Sequence, residues 1–177
     1  MNIISMKYTT KVYRLTVTQI VNTYMNIPFS TRSKQHLKHC QYEHKKNGYN
    51  NKKMYERYYV VSIDTLLHVR GIPDRVDPPY VVEFKTCTHR TLETVVDYAE
   101  VQLHLYMWLT GLQKGRIDVY LKDTKELIKG YRYVYYDPLF VDKILKTVYY
   151  KLYNGNTKRA RGNSQTKTTS FFEDQGY

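Results

Sequence analysis

Hydrophobic and polar positions along the chain follow two rhythms. Between 92 and 110, Leu92, Val95, Val96, Ala99, Leu103, Tyr106, Met107 and Thr110 recur at helical spacing, the stripe of a helix laid on a sheet. Thr91 would cap this helix with Glu93 in its first turn, and Gly111 and Gly115 would end it. Val17, Ile20, Val21 and Tyr24 predict a shorter helix over 16–25, capped by Thr16 or Thr18 and stopped at Asn26-Ile27-Pro28. Ser30 opens another helical stretch to about 46, ended by Asn47-Gly48. Asp137-Pro138 opens a last helix running to about 153, with Phe140, Ile144, Leu145 and Val148 inward.

The second rhythm is that of strands. Residues 58–63 and 66–70, joined at Asp64-Thr65, read as a hairpin leading into Gly71, residues 80–87 alternate, and 116–123 with 127–136 form another strand pair. Residues 47–56 make a polar loop whose Lys52 and Lys53 either grip phosphate or simply face water. Beyond 154 the periodicity disappears, which predicts a disordered tail; Phe171-Phe172 could anchor it to a partner chain, but the default reading gives the pair no role. Strands interleaved with helices place the chain in the α/β class, a mixed central sheet flanked by helices, in one domain over 1–153.

The chemistry concentrates around one turn. Asp74 and Glu83 lie equally far from the Pro78-Pro79 junction, so a hairpin turning there sets them side by side on adjacent antiparallel strands. A side-chain period of two sends Val81, Glu83, Lys85 and Cys87 to one face of the second strand and Val82 and Phe84 to the other. Val82 and Phe84 can hold the strand on a core while Glu83 and Lys85 project toward Asp74. At about 4 Å two like charges repel by roughly 4 kcal/mol at a typical effective dielectric, so the carboxylates call for a cation between them. Mg²⁺ accepts one or two carboxylates together with backbone oxygen and waters, and the Phe84 carbonyl is placed to complete such a set. Gln102 sits at the edge of the long apolar stripe, one turn before Tyr106, and needs a partner, because burying an amide unpaired costs about 1–3 kcal/mol. His104 is expected to face water.

Charge and cysteine usage narrow the function classes. The net charge is +12, and residues 1–60 carry eleven Lys/Arg against two acids, whereas 61–153 are nearly balanced. A basic lobe beside a carboxylate-bearing centre suits a polyanion gripped on one side and processed on the other, though a solvated basic surface would look the same. Twenty tyrosines suit both core packing and stacking on bases, and the single tryptophan, Trp108, is structural by its place on the helix. The only cysteines, Cys40 and Cys87, can build neither a disulfide framework nor a four-thiolate cluster. No apolar run is long enough for a signal peptide or a membrane span, which leads to the expectation of a soluble intracellular protein with no membrane partner.

Taken in order, Gly71 to Asp74, Glu83-Phe84-Lys85 and Gln102 to Tyr106 resemble the Gly-x-x-Asp, Glu-x-Lys and Gln-x-x-x-Tyr elements of the PD-(D/E)XK nuclease superfamily. The RecB-type branch, with the CRISPR-associated adaptation exonucleases, is the most similar, over about residues 16–153. The resemblance implies a restriction-endonuclease-like core, Asp74, Glu83 and Lys85 as catalytic residues, and Gln102 and Tyr106 as residues that orient the site and meet DNA. It also implies an upstream histidine as a further ligand for Mg²⁺ or Mn²⁺ beside Asp74, Glu83 and the Phe84 carbonyl. On the basic 30–46 helix, which carries His36, His39, Cys40 and His44, that ligand is expected at His36, with His39 as the alternative. A zinc site from His36, His39 and Cys40 would lack a fourth ligand. Relatives in the adaptation-exonuclease branch hold an iron–sulfur cluster on one early and three late cysteines, and with no cysteine after Cys87 none is expected here.

The expected activity is metal-dependent hydrolysis of DNA phosphodiesters, from an end and with single-stranded character. The alternative is a DNA-binding or recombination accessory protein on a nuclease-like fold. The tyrosine-rich, cluster-free style is similar to versions carried by archaeal viruses, which would place the protein in the cytoplasm of an infected host cell. A homo-oligomer is compatible with the sequence but not indicated by it.

Overall fold

The computed structural model describes residues 10–28 and 34–154. Its strands in chain order are β1 (Lys11–Thr16), β2 (Tyr55–Ser62), β3 (Thr65–Gly71), β4 (Arg75–Asp77), β5 (Tyr80–Cys87), β6 (Lys114–Leu121) and β7 (Glu126–Tyr135). Its α-helices are α1 (Val17–Tyr24), α2 (Lys34–Lys46), α3 (Leu92–Thr110) and α4 (Pro138–Tyr149), the last continued by a π-helical turn over Tyr150–Asn154. The expected α/β class, with mixed sheet and helices, is what these elements form, the strands being divided between two sheets.

One sheet has the order β4-β5-β6-β7, with β5 and β6 parallel and the outer pairs antiparallel. The other has the order β1-β3-β2, with β1 parallel and β2 antiparallel to β3. Helix α3 brings both to one core: Leu67 and Val69 of β3, Val81 of β5 and Ile117 and Val119 of β6 share a cluster with Leu103 and Met107. On the reverse face of β5, Val82 and Phe84 pack against Tyr49 in a smaller cluster. Both faces of β5 are therefore covered, and Val81, Val82, Glu83 and Phe84 are all buried.

Local sequence explains the helix ends. The Thr16 hydroxyl accepts from Gln19 N–H (3.2 Å) while Gln19 Oε1 accepts from Thr16 N–H (2.8 Å), a reciprocal cap that starts α1. Asp137 accepts from the N–H groups of Leu139 and Phe140, with Pro138 behind it, and starts α4. Gly111, at φ 79°, closes α3 in the left-handed region where a side chain is penalised.

Several expectations need correction. Strand β1 is an addition: Thr16 is read correctly as a cap, but the residues before it pair in parallel with β3, a contact about fifty residues away in sequence. The polar loop is shorter than expected, because β2 begins at Tyr55. Gly115 does not terminate α3 but lies in β6, where a Cβ would stand 3.0 Å from Leu103. His104 is buried rather than exposed, its ring edge-on to Phe140. Ser30, the expected start of the second helix, and the tail beyond 154 with Phe171-Phe172 lie outside the described residues. Among the described residues no helix is long and apolar enough to cross a membrane.

Candidate active site

Three elements converge where β4 begins. Strand β4 pairs with β5 in the register Arg75 to Val82, Val76 to Val81 and Asp77 to Tyr80, about the Pro78-Pro79 turn. One step further along the same register, Asp74 stands opposite Glu83. Asp74 Oδ2 accepts from Phe84 N–H at 2.8 Å, which fixes the carboxylate at the strand edge. Its other oxygen, Oδ1, lies 3.2 Å from His44 Nδ1.

Glu83 is buried, and Lys85 Nζ donates to its Oε1 at 2.5 Å and to Gln102 Oε1 at 2.6 Å. The same ammonium lies 5.6 Å from the centre of the Tyr98 ring. Lys85 is thus held from three sides, and the amide of Gln102 has the partner its burial requires. Tyr106 is buried a turn further along α3, against Gly71: a Cβ on Gly71 would come within 2.8 Å of its ring and 2.7 Å of Val17. Only a residue without a side chain lets the β3 end approach α3 so closely.

The electrostatics are those of a site short of positive charge. Glu83 Oε2 is buried with no hydrogen-bond partner among the described residues. Burial, then the charge of Asp74, pushes the Glu83 carboxyl up to about 7 against the pull of Lys85. For Lys85, burial works against the charged form, but Glu83 and Asp74 more than offset it, so the amine is held as an ammonium. Burial and the two acids also raise the Tyr106 hydroxyl far above its usual range. Among the described residues no three His, Cys, Asp or Glu side chains already converge as a finished metal cage. What exists is an unpartnered oxygen on Glu83, whose carboxyl lies within electrostatic reach of Asp74, itself 3.2 Å from the His44 imidazole. An oxygen-seeking divalent cation fits that donor set and supplies the positive charge it lacks.

Among the described α2 side chains, the histidine that meets Asp74 is His44. His39 is exposed, and the side chain of His36 lies outside the described residues. Eight residues of helix separate His36 from His44, about 12 Å of rise. The loop after α2 decides which end of the helix is used: Asn51 N–H donates to Asp74 O (3.1 Å) and its side-chain amide to Pro73 O (3.1 Å). Because these bonds tie the loop to the start of β4, the last turn of α2 comes to the site. The signal in the sequence was the closeness of His44 to the Asn47-Gly48 stop, which puts it next to the returning loop.

No family profile and no characterised protein matches the chain at the level of sequence. Solved structures do match. The crystal structure of SSO0001 superposes with a TM-score of 0.61 at 15% identity, over 85% of this chain and 80% of that one. A phage-related exonuclease from Haemophilus somnus 129PT gives 0.49 at 12% identity, covering 83% and 82%. An alkaline exonuclease, LHK-Exo from Laribacter hongkongensis, gives 0.43 at 14% identity, covering 84% and 90%. At these identities the likeness is one of fold alone, and it rests on the superposition with SSO0001.

Proposed function

We propose that this chain is a divalent-metal-dependent nuclease that hydrolyses DNA phosphodiester bonds, acting from an end and on single-stranded DNA. The observation that carries the reading is Glu83 Oε2, buried without a partner beside Asp74, with Lys85 fixed between Glu83 and Gln102. Asp74, Glu83 and the Phe84 carbonyl would hold Mg²⁺ or Mn²⁺, with His44 in place of His36 as the ligand from α2. When bound, such an ion neutralises charge on the scissile phosphate and acidifies a water.

The protein's own groups do the rest. Lys85 directs a fixed ammonium at the place where phosphate charge develops, and Gln102 keeps it there. Tyr106, packed on Gly71, keeps α3 at the distance that lets Gln102 reach Lys85. The basic excess of the first sixty residues, with Lys52 and Lys53 on the loop leading from α2, draws and holds the polyanion. No step requires an iron–sulfur cluster.

The experiment is digestion of end-labelled linear and circular DNA, single- and double-stranded, with Mn²⁺ or Mg²⁺, by the wild type and Glu83→Ala. Metal-dependent release of short products from linear single strands, abolished in Glu83→Ala, is expected. Equal digestion by the folded variant would refute the assignment. Binding of DNA with no hydrolysis under any metal would favour an accessory protein on the same fold.

A further inference from the structure

Tyr49 closes the reverse face of the β4-β5-β6-β7 sheet over Val82 and Phe84. Toward the start of β5 that face opens. Residues paired across strands share a face, so the register sets Tyr80, Lys114 and Tyr135 in one row and Val82, Arg116 and Tyr133 in the next. Glu83 and Lys85 belong to the opposite face of β5, where Lys85 reaches Gln102 of α3. The open face is therefore a different surface from the candidate active site.

Three tyrosines occupy it, and two of them are largely bare: Tyr135 is 71% exposed and Tyr133 55%. The Tyr133 ring runs back along β7, so that a Cβ on Gly130 would come 2.5 Å from its hydroxyl. Tyr133 also meets Tyr80, with ring centres 5.7 Å apart, and Tyr80 rests on the Tyr49–Val82–Phe84 cluster. Rings held in place before a ligand arrives lose little freedom when it binds.

Charge on this face favours an anion. Lys114 is exposed and stands between Tyr80 and Tyr135 in the first row. Arg116 lies 5.9 Å from the centre of the Tyr80 ring. Its Nε and Nη2 donate to Asp118, a carboxylate that is itself wholly buried, and Nη1 is not committed to that pair. On β4, Arg75 and Asp77 pair with each other. Two residues along an antiparallel strand advance about 7 Å, roughly twice the 3.4 Å step of one strand of a duplex. Tyr133 and Tyr135 therefore suit bases drawn apart, one to a ring, rather than the stacked bases of a double helix.

We propose that the Tyr80–Tyr133–Tyr135 face is a platform for single-stranded DNA, separate from the candidate active site. Bases stack on Tyr133 and Tyr135, and Lys114 and Arg116 meet the phosphates between them. The choice of DNA over RNA rests on the nuclease reading, whereas the stacking does not. Such a platform keeps a strand attached while its end is being cut.

The test is fluorescence anisotropy of a labelled oligothymidylate in EDTA, which withholds the metal, with the full chain as wild type, Tyr133→Ala, Tyr135→Ala, their double variant, Tyr133→Phe and Lys114→Ala. Each single tyrosine-to-alanine change is expected to raise Kd about tenfold and the double variant about a hundredfold, with Tyr133→Phe, which keeps the ring, within about twofold of wild type. Lys114→Ala should raise Kd about threefold and make the slope of log K against log salt shallower by about 0.7. Unlabelled duplex should compete at least about tenfold more weakly than unlabelled oligothymidylate. Tyr135→Ala, at the most exposed ring, keeps the test decisive should the double variant misfold. Unchanged Kd in folded Tyr133→Ala and Tyr135→Ala, or duplex that competes as well as the single strand, would overturn the platform. Oligouridylate that competes better than oligothymidylate would overturn the choice of DNA. A double variant that binds DNA like the wild type, but sediments as a monomer where the wild type is a dimer, would assign the face to a second copy of the chain instead. Metal-dependent cleavage by a wild type whose variants bind DNA normally would sink the platform alone. Binding through these rings by a wild type that cuts nothing with Mn²⁺ would uphold the platform and sink the nuclease reading.

Discussion

Strands β5 and β6 lie side by side, and each buries a carboxylate, but the two acids are treated in opposite ways. Asp118 on β6 accepts from Tyr49 OH at 2.7 Å, from two nitrogens of Arg116 at 3.0 and 2.9 Å, and from Gly130 N–H at 2.6 Å. It is wholly buried and fully satisfied. Glu83 on β5 is almost as deep, yet only one of its oxygens is partnered, and the charge of Asp74 acts on the carboxyl. A buried carboxylate saturated with donors on several elements is a structural tie, because any ligand would have to displace those donors. One left short of donors beside a second acid is destabilised until a cation arrives. On the proposed reading, that contrast, rather than burial alone, separates the working acid from the structural one.

The largest effect that could break the contrast is on activity. Glu83→Ala and Lys85→Ala should each lower kcat/KM for DNA at least about a thousandfold, near 4 kcal/mol of transition-state stabilisation, in steady-state assays. Each also strands the other member of a buried ion pair, so the unfolding midpoint should fall as well. Asp118→Ala should cost stability alone. It strands Arg116 and removes the acceptor of Tyr49 and Gly130, costing about 3–5 kcal/mol in denaturant unfolding, while turnover per folded molecule stays near that of the wild type.

A smaller effect concerns pH. Burial and Asp74 raise the Glu83 carboxyl from 4.5 to about 7 in the folded chain. A raised carboxyl contributes stability that is complete below the unfolded value and is lost as pH rises through the folded one. Metal-free protein should therefore lose stability between about pH 4.5 and 7, by up to roughly 3 kcal/mol. Glu83→Gln should flatten that slope, and added Mg²⁺ should offset it above pH 7 by binding the ionised form. The smallest expected effect is at Gly71. Gly71→Ala places a methyl against Val17 and Tyr106, costing about 1–3 kcal/mol by overpacking, and its kcat should fall through displacement of α3.

The hairpin was legible because its information is local: Asp74 and Glu83 are symmetric about Pro78-Pro79, and a two-residue period fixes which way Glu83 and Lys85 point. The Gln102 position followed from the α3 stripe, though its bond to Lys85 is a fact of packing. His44 was not legible as the residue meeting Asp74, since the choice among α2 histidines is made by Asn51 reaching back to Pro73 and Asp74. His104 was misplaced for a different reason. The amphipathic-stripe argument assumes one buried face, but Val101 through Met107 are all buried because α3 is enclosed by the sheets and by α4. Strand β1 escaped notice because a parallel partner far along the chain leaves no turn to read.

The central claim is that Asp74 and Glu83 hold one divalent ion between them. Mn²⁺ binding by electron paramagnetic resonance, in wild type, Asp74→Asn, Glu83→Gln and Asp118→Asn confirmed folded by circular dichroism, tests it most directly. One tight Mn²⁺ per chain in the wild type and Asp118→Asn, lost in both Asp74→Asn and Glu83→Gln, is the expected result. Mn²⁺ bound equally by all four proteins, or by none, would contradict it.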